Sequence, residues 1–290
     1  MTTQDPTRTT APQPRQQTPV GVRTGGSAGA GGGSAPTAPE RGRPRLLSYV
    51  ARWGRTRRWL PPEARLVLDV GAAFGYGTAA VQGRSRHRRV VGVERDPTHV
   101  AEAARRLPHI EIICADAAAL PFPDGSVDAV VLLDVIEHVA DPPAVLAEAY
   151  RVLRAGGWLV VSVPHRGLLA PLDSMNVYPA LRRRRPSWLP LESAEGSDAG
   201  HHQHFTLDEV RRILGPRFAV DRVARTGLGL AEVYHLAILV VFKGLLRWPR
   251  VYQVLLLGHL AAYVLDDLLP LGRASYYLTV RACAVGGGAG

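Results

Sequence analysis

The residues with the most chemical content lie in the run Val67-Leu68-Asp69-Val70-Gly71-Ala72-Ala73-Phe74-Gly75-Tyr76-Gly77-Thr78. An apolar strand passes into a glycine turn and then into a helix. Glycines let a ligand approach the backbone closely and leave amide groups free to bind it. Several nucleotide-binding folds use such a loop, and two carboxylates narrow the chemistry. Asp69 stands two residues before the first glycine, where it suits a cationic amino group better than a pyrophosphate. Glu94 ends the next strand, in Val91-Gly92-Val93-Glu94-Arg95-Asp96, where a carboxylate can accept both hydroxyls of a ribose. The candidate general bases are His138, His165, His201, His202 and His204. His138 and His165 follow the fourth and fifth strands, at the edge of such sheets where ligands bind. Each histidine also has a plain structural alternative, as a capping, packing or loop residue.

The elements that must position these groups alternate between strand and helix, which implies a parallel sheet. Strands are expected at Arg65–Val70, Val90–Glu94, Ile110–Cys114, Val127–Leu133 and Trp158–Val163, and helices from Gly77, from Thr98 to Leu107, and from Asp141 to about Arg154. Asp141 is a suitable N-cap with Pro142 at the first helical position, and Gly156-Gly157 is the expected stop. Thr206-Leu207-Asp208-Glu209 reads as a capping box that opens a helix through Leu214. The stretch from Arg166 to Gly200 reads as irregular. Phe218–Arg225 and Tyr276–Ala284 are strand-like, with an apolar insertion between them over about 227–271. Leu46–Leu60 reads as a basic amphipathic helix that caps the domain or rests on a membrane surface.

The order of these motifs resembles the class I S-adenosylmethionine-dependent methyltransferases, especially the group with the ubiquinone and menaquinone biosynthesis enzymes. Leu120-Pro121-Phe122-Pro123-Asp124-Gly125-Ser126-Val127-Asp128, Glu137-His138-Val139 and Arg151-Val152-Leu153-Arg154-Ala155-Gly156-Gly157 extend the match over about residues 65–165. The resemblance implies a Rossmann-like α/β fold: a seven-stranded sheet, parallel except for the last strand, with helices on both faces and a helical insertion before that strand. It also implies S-adenosylmethionine as cofactor. The implied cofactor residues are Asp69, Gly71, Ala73, Gly75, Glu94, Arg95, Asp116, Ala117 and Leu133, with Asp116 on the exocyclic amine of adenine. His138, His165 and His204 are the implied candidates for catalysis. The family often has glycine where this chain has Ala73. Asp134-Val135-Ile136-Glu137-His138 resembles the metal-holding run of ubiquinone O-methyltransferases, but with Asp for their usual Glu. The shorter side chain changes the reach, and no metal is assigned.

The 290 residues carry a formal charge of +10. Lys243 is the only lysine, and the arginines are not interleaved with aromatics along a groove, so no nucleic-acid partner is inferred. Residues 1–43 have almost no bulky apolar side chains and read as a disordered tail, ahead of a methyltransferase domain over 44–290. That stretch has no apolar run of the secretory kind, and Cys114 and Cys283 read as reduced, buried thiols. The expectation is therefore a cytoplasmic protein. Within the insertion, Leu236–Phe242 and Val254–Leu265 are each too short to span a bilayer. Arg247-Trp248-Pro249-Arg250 between them is the residue set of a membrane interface. The insertion is read as a lid over an apolar pocket, as a peripheral contact with the inner face of the membrane, or as plain packing. The first two readings imply a greasy small-molecule acceptor. Arg182-Arg183-Arg184-Arg185 would fit an anionic surface or a phosphate. The rival functions are an NAD(P)-dependent oxidoreductase and a binding module without turnover.

Overall fold

A computed structural model describes residues 51–184 and 203–286. The tail over 1–43, His201, His202 and Arg185 lie outside the described residues. Seven strands form one sheet: β1 Leu66–Val70, β2 Arg89–Glu94, β3 Glu111–Cys114, β4 Val127–Leu133, β5 Leu153–Pro164, β6 Phe218–Thr226 and β7 Tyr277–Ala284. Their order is β3-β2-β1-β4-β5-β7-β6. The pairs among β1 to β5 are parallel, and β7 runs antiparallel to both neighbours. This is the Rossmann-like sheet that the motif order implied. The helices are α1 Ala51–Trp59, α2 Tyr76–Gln82, α3 Pro97–Arg106, α4 Pro142–Val152, α5 Ser174–Arg184, α6 Leu207–Leu214, α7 Leu230–Ile238 and α8 Pro249–Asp267.

The near-continuous apolar runs of β1, β2, β4 and β5 follow from burial on both faces. Leu68, Val70, Val91, Val93, Val130, Leu132 and Val161 join one core with Leu146 and Ala149 of α4 and Val210 and Leu214 of α6. Val67, Val90, Val131 and Val160 alternate to the other face, against Leu60 and Val81. The same alternation points Asp69 away from the α4–α6 side, toward α2, where the Thr78 hydroxyl donates to it at 2.7 Å.

The helix starts carry the caps that their sequences announce. Asp96 accepts from Thr98 N at 2.7 Å, and Asp141 from Ala144 N at 3.1 Å. At Thr206 the exchange is reciprocal: Glu209 N donates to Thr206 Oγ1, and Thr206 N donates to Glu209 Oε2 at 2.7 Å.

Four expectations are corrected. The helix from Pro142 ends at Val152, ahead of the two glycines, because Leu153 already pairs with Val127 and starts β5. The stretch expected to be irregular contains α5, tied through Tyr178 to Ile238 and Tyr252 of the insertion. Cys114 is exposed and Cys283 half-buried: β3 is an edge strand, so one of its faces lacks cover. In α1 the polar residues do not share an outer face. Arg52 and Thr56 are buried while Arg57 and Arg58 are exposed.

The capping box supports a prediction. Thr206→Ala removes the side-chain acceptor for Glu209 N and should lower unfolding stability by about 1 kcal/mol. Urea denaturation should show an earlier midpoint with an unchanged slope.

Candidate functional site

The strand order reverses at β1, whose neighbours β2 and β4 lead the chain to opposite sides. A crevice therefore opens beyond the carboxyl end of β1. The chain leaves β1 through three left-handed residues, Gly71 (φ 80), Ala73 (φ 45) and Gly75 (φ 77). The amides of Gly71 and Ala72 donate to Val93 O at 2.8 and 3.0 Å, binding the loop to β2. A Cβ on Gly71 would stand 2.4 Å from Val135 Cγ2, so the turn has no room for a side chain there.

Glu94 reaches back to this loop. Its Oε2 accepts from Ala73 N at 2.8 Å and its Oε1 from Asp96 N at 2.9 Å. A carboxylate has about four acceptor positions, so these two bonds fix Glu94 and leave capacity for hydroxyls. Asp69 is 4% exposed. Burial pushes its carboxyl up to about 6, against the opposing pull of the Thr78 hydroxyl. Asp116 lies past β3, beside β2, with Oδ1 accepting from Ala118 N at 2.8 Å. Ala117 packs against the larger core, and half-buried Leu133 closes β4. Arg95 is exposed and presents its carbonyl to Cys114 Sγ at 3.5 Å. The fold thus brings Asp69, the glycine loop and Glu94 into one crevice, with Asp116 one strand further out.

The histidines separate. His138 is exposed on the short turn Ile136–His138 after β4. His165 and the His204 loop come together through the bridge between His165 and Phe205. His165 Nδ1 lies 2.9 Å from Ser275 O, and burial lowers its pKa below the usual histidine range. His204 Nε2 lies 3.1 Å from Asp173 Oδ2, an oxygen that accepts from Tyr276 OH at 2.7 Å. The metal-like run does not converge: Asp134 is paired with Arg52, Glu137 is buried and His138 faces outward. Among the described residues no group of three potential ligands could hold a metal ion.

Two neighbours of the crevice, both on α1, escape a reading of the sequence. A Cβ on Gly77 would meet Trp53 Nε1 at 3.3 Å and Asp69 Oδ2 at 3.4 Å, so Trp53 lies over the loop beside Asp69. Arg52 reaches the carboxyl end of β4. The only sequence signal was the four-residue spacing of Arg52 and Thr56, which puts them on one face of a helix.

Comparison with known proteins agrees with this geometry. Residues 68–161 match the family described as the methyltransferase domain. A protein of Mycobacterium tuberculosis, named a probable S-adenosylmethionine-dependent methyltransferase, is 43% identical over 108 residues. That match covers 37% of this chain and 39% of the relative, so the chain spans well under half of it. A demethylmenaquinone methyltransferase of Renibacterium salmoninarum is 34% identical over 158 residues, covering 49% of this chain and 65% of that protein. The crystal structure of an S-adenosylmethionine-dependent methyltransferase from Thermotoga maritima shares the fold. Its TM-score is 0.53 at 18% identity, over 82% of this chain and 92% of the other. No such support favours the oxidoreductase alternative.

The crevice carries groups that would suit S-adenosylmethionine: a buried carboxylate to meet an ammonium, an anchored carboxylate to meet ribose hydroxyls and a left-handed turn between them. An ammonium selects the ionised form of Asp69. Near pH 7 that form predominates; at about pH 6 about half is protonated, and affinity should already be about twofold lower there. Below about pH 6, binding must also expel a proton, so affinity should fall by up to about tenfold per pH unit. Asp69→Asn should bind more weakly with a flat profile, and calorimetric titration over this range checks both. A wild-type affinity constant down to about pH 5 would remove Asp69 from the amino-group role. Residues 68–161 match the methyltransferase domain, and they lie in a seven-stranded sheet whose fold is that of the solved methyltransferases it resembles.

Proposed function

We propose that this protein transfers the methyl group of S-adenosylmethionine to an apolar small molecule drawn from an anionic lipid surface. The observation that carries the methyl transfer is the convergence of Asp69, the glycine loop and Glu94 on one crevice in a chain whose relatives are methyltransferases. Asp69 takes the amino group, Glu94 the ribose and Asp116 the adenine amine, with Gly71, Ala73 and Gly75 forming the left-handed turn that faces the cofactor. Arg95, Ala117 and Leu133 line the same edge. Bound there, the cofactor supplies a methyl group on a sulfonium that leaves as a neutral thioether. The protein's work is then to hold the acceptor in line with that carbon and exclude water. An acceptor that must lose a proton needs a base. Of His138, His165 and His204, we favour His204. The buried Asp173 carboxylate 3.1 Å from Nε2 would stabilise the imidazolium formed as the proton arrives. His165, tied to Ser275 O and held neutral by burial, suits a positioning role.

The insertion supports the apolar acceptor and the lipid surface. Tyr178, Ile238, Leu239 and Tyr252 give α5, α7 and α8 a small core of their own. The opposite side of α8 stays bare, with Val254 at 66%, Leu257 at 71% and Leu265 at 65% exposure. Arg250, Val254, Leu257, Ala261, Leu265 and Leu268 follow the three- and four-residue spacing of one helical stripe, and all are exposed. Trp248 and Arg247, also exposed, precede it. The only carboxylates of α8, Asp266 and Asp267, turn inward. An apolar stripe with a Trp–Arg end and no outward acid suits an anionic interface. No helix among the described residues is long and apolar enough to cross a membrane, so the contact would be peripheral. The demethylmenaquinone methyltransferase among the relatives is in keeping with such an acceptor.

Two experiments test these readings. Calorimetry of the full chain should show micromolar binding of S-adenosylmethionine and its demethylated product. Glu94→Ala should weaken both by about 2 kcal/mol or more, the scale of losing a charge-assisted contact. No binding by well-folded protein would sink the methyltransferase reading. Flotation with phosphatidylglycerol vesicles should carry the chain, and phosphatidylcholine vesicles should carry far less. The double substitution Val254→Glu and Leu257→Glu should abolish flotation without changing cofactor affinity. A wild type that stays behind as a dimer would assign the stripe to a second copy instead.

A further inference from the structure

The interior between α1, α8 and the sheet is polar where apolar packing would be the rule. Arg52 and Thr56 enter it from α1, Tyr263 and Asp267 from α8, and Tyr277 from β7. The Arg52 guanidinium lies 5.2 Å from the Tyr263 ring centre and 5.1 Å from that of Tyr277. The two rings meet edge to face at 5.3 Å. One terminal nitrogen of Arg52 pairs with the Asp134 carboxylate and lies 3.5 Å from Ser162 Oγ.

Arg52 Nε, Thr56 Oγ1, Tyr263 OH, Tyr277 OH and Asp267 Oδ2 are all buried without a hydrogen-bond partner. A buried polar group in that state is destabilising, and native interiors contain few of them. Carried by α1, α8 and β7, with Arg52, Tyr263 and Tyr277 in mutual contact, these five form a set of donors and acceptors without a counterpart. Its two arginines are already paired, Arg52 with Asp134 and Arg55 with Asp267. A ligand charge brought here would be buried without a partner. An uncharged oxygen meets the need, accepting from Arg52 Nε or a tyrosine hydroxyl and, if it carries a proton, donating to Asp267.

The location matches an acceptor. Asp134, the member a third exposed, follows the last residue of β4, at the edge of the cofactor crevice. Trp53, the neighbour of Arg52, lies beside Asp69. The helix that turns Tyr263 and Asp267 inward also carries the bare apolar stripe outward. We propose that Arg52, Thr56, Tyr263, Tyr277 and Asp267 form the acceptor's polar subsite, which takes the uncharged hydroxyl or carbonyl end of an otherwise apolar molecule. The assignment rests on the methyltransferase reading for its role in turnover.

The test uses the full chain saturated with S-adenosylhomocysteine, titrated by calorimetry with para-hexylphenol, hexylbenzene and para-hexylbenzoate. The phenol should bind at least about tenfold more tightly than either of the others. Tyr263→Phe with Tyr277→Phe should bring the phenol's affinity down to that of hexylbenzene. The same variant should keep its affinity for S-adenosylhomocysteine and melt no lower than wild type, because it loses only hydroxyls that had no partner. Equal binding of phenol and hexylbenzene, a preference for the benzoate, or a double variant with unchanged phenol affinity would overturn the subsite and leave ordered water as its only occupant. A chain that binds no S-adenosylhomocysteine fails the methyltransferase reading instead, and phenol titration without it then decides the subsite alone.

Discussion

The carboxyl end of β1 is where the crevice is made, and it depends on a turn that side chains resist. Three left-handed residues within five positions let the chain leave the sheet, send two amides to Val93 and start α2 without a side-chain cap. Glycine adopts that conformation at no steric cost. Ala73 does not, and left-handed backbone costs an ordinary residue about 1–2 kcal/mol. The amide of Ala73 is the one that Glu94 holds. The bond that fixes Glu94 thus also secures the strained residue, and one contact ties β1's loop to the end of β2.

The other face of the crevice depends on charge. Asp69 and Arg52 are both buried, on the same side of the sheet, and are kept apart by Trp53 and the strand spacing. Asp69 has a hydroxyl for company, and its carboxyl is held near 6 by burial. A cation brought beside it would favour its charged form. Arg52 has its counter-ion in Asp134, which itself takes the left-handed conformation (φ 56) where β4 ends. A buried ion pair of this kind repays little of its desolvation unless further groups complete it.

The insertion is a second layer with its own core rather than an extension of the sheet's. It is tied down by the inward carboxylates at the end of α8. Asp266 accepts from Leu228 N and Gly229 N at 2.7 and 2.9 Å, and Asp267 accepts from the Thr226 hydroxyl at 2.5 Å. Those bonds hold the far end of α8 against the start of α7. The long apolar helix is therefore clamped at one end and bare along its outer side.

Much of this was legible in the sequence because it is local. The strand-loop-helix run from Val67 to Thr78, the acidic strand end at Glu94 and the capping box at Thr206 each follow from residue type over a dozen positions or fewer, where backbone preference decides. The alternation of elements then implied the sheet and its crevice, and the family resemblance supplied its cofactor. The rest needed the tertiary structure. Leu153 became a strand residue because Val127 was beside it, Cys114 became exposed because β3 lies at the edge, and residues 174–184 became helical against a core that other segments provide. Arg52 shows the limit most clearly. On sequence it is one of four arginines on a short helix, with nothing to mark it. Only the packing of α1 over the ends of β4 and β5 and against α8 buries it among Asp134, Tyr263 and Tyr277, since a helix pattern fixes which residues share a face but not what that face will meet.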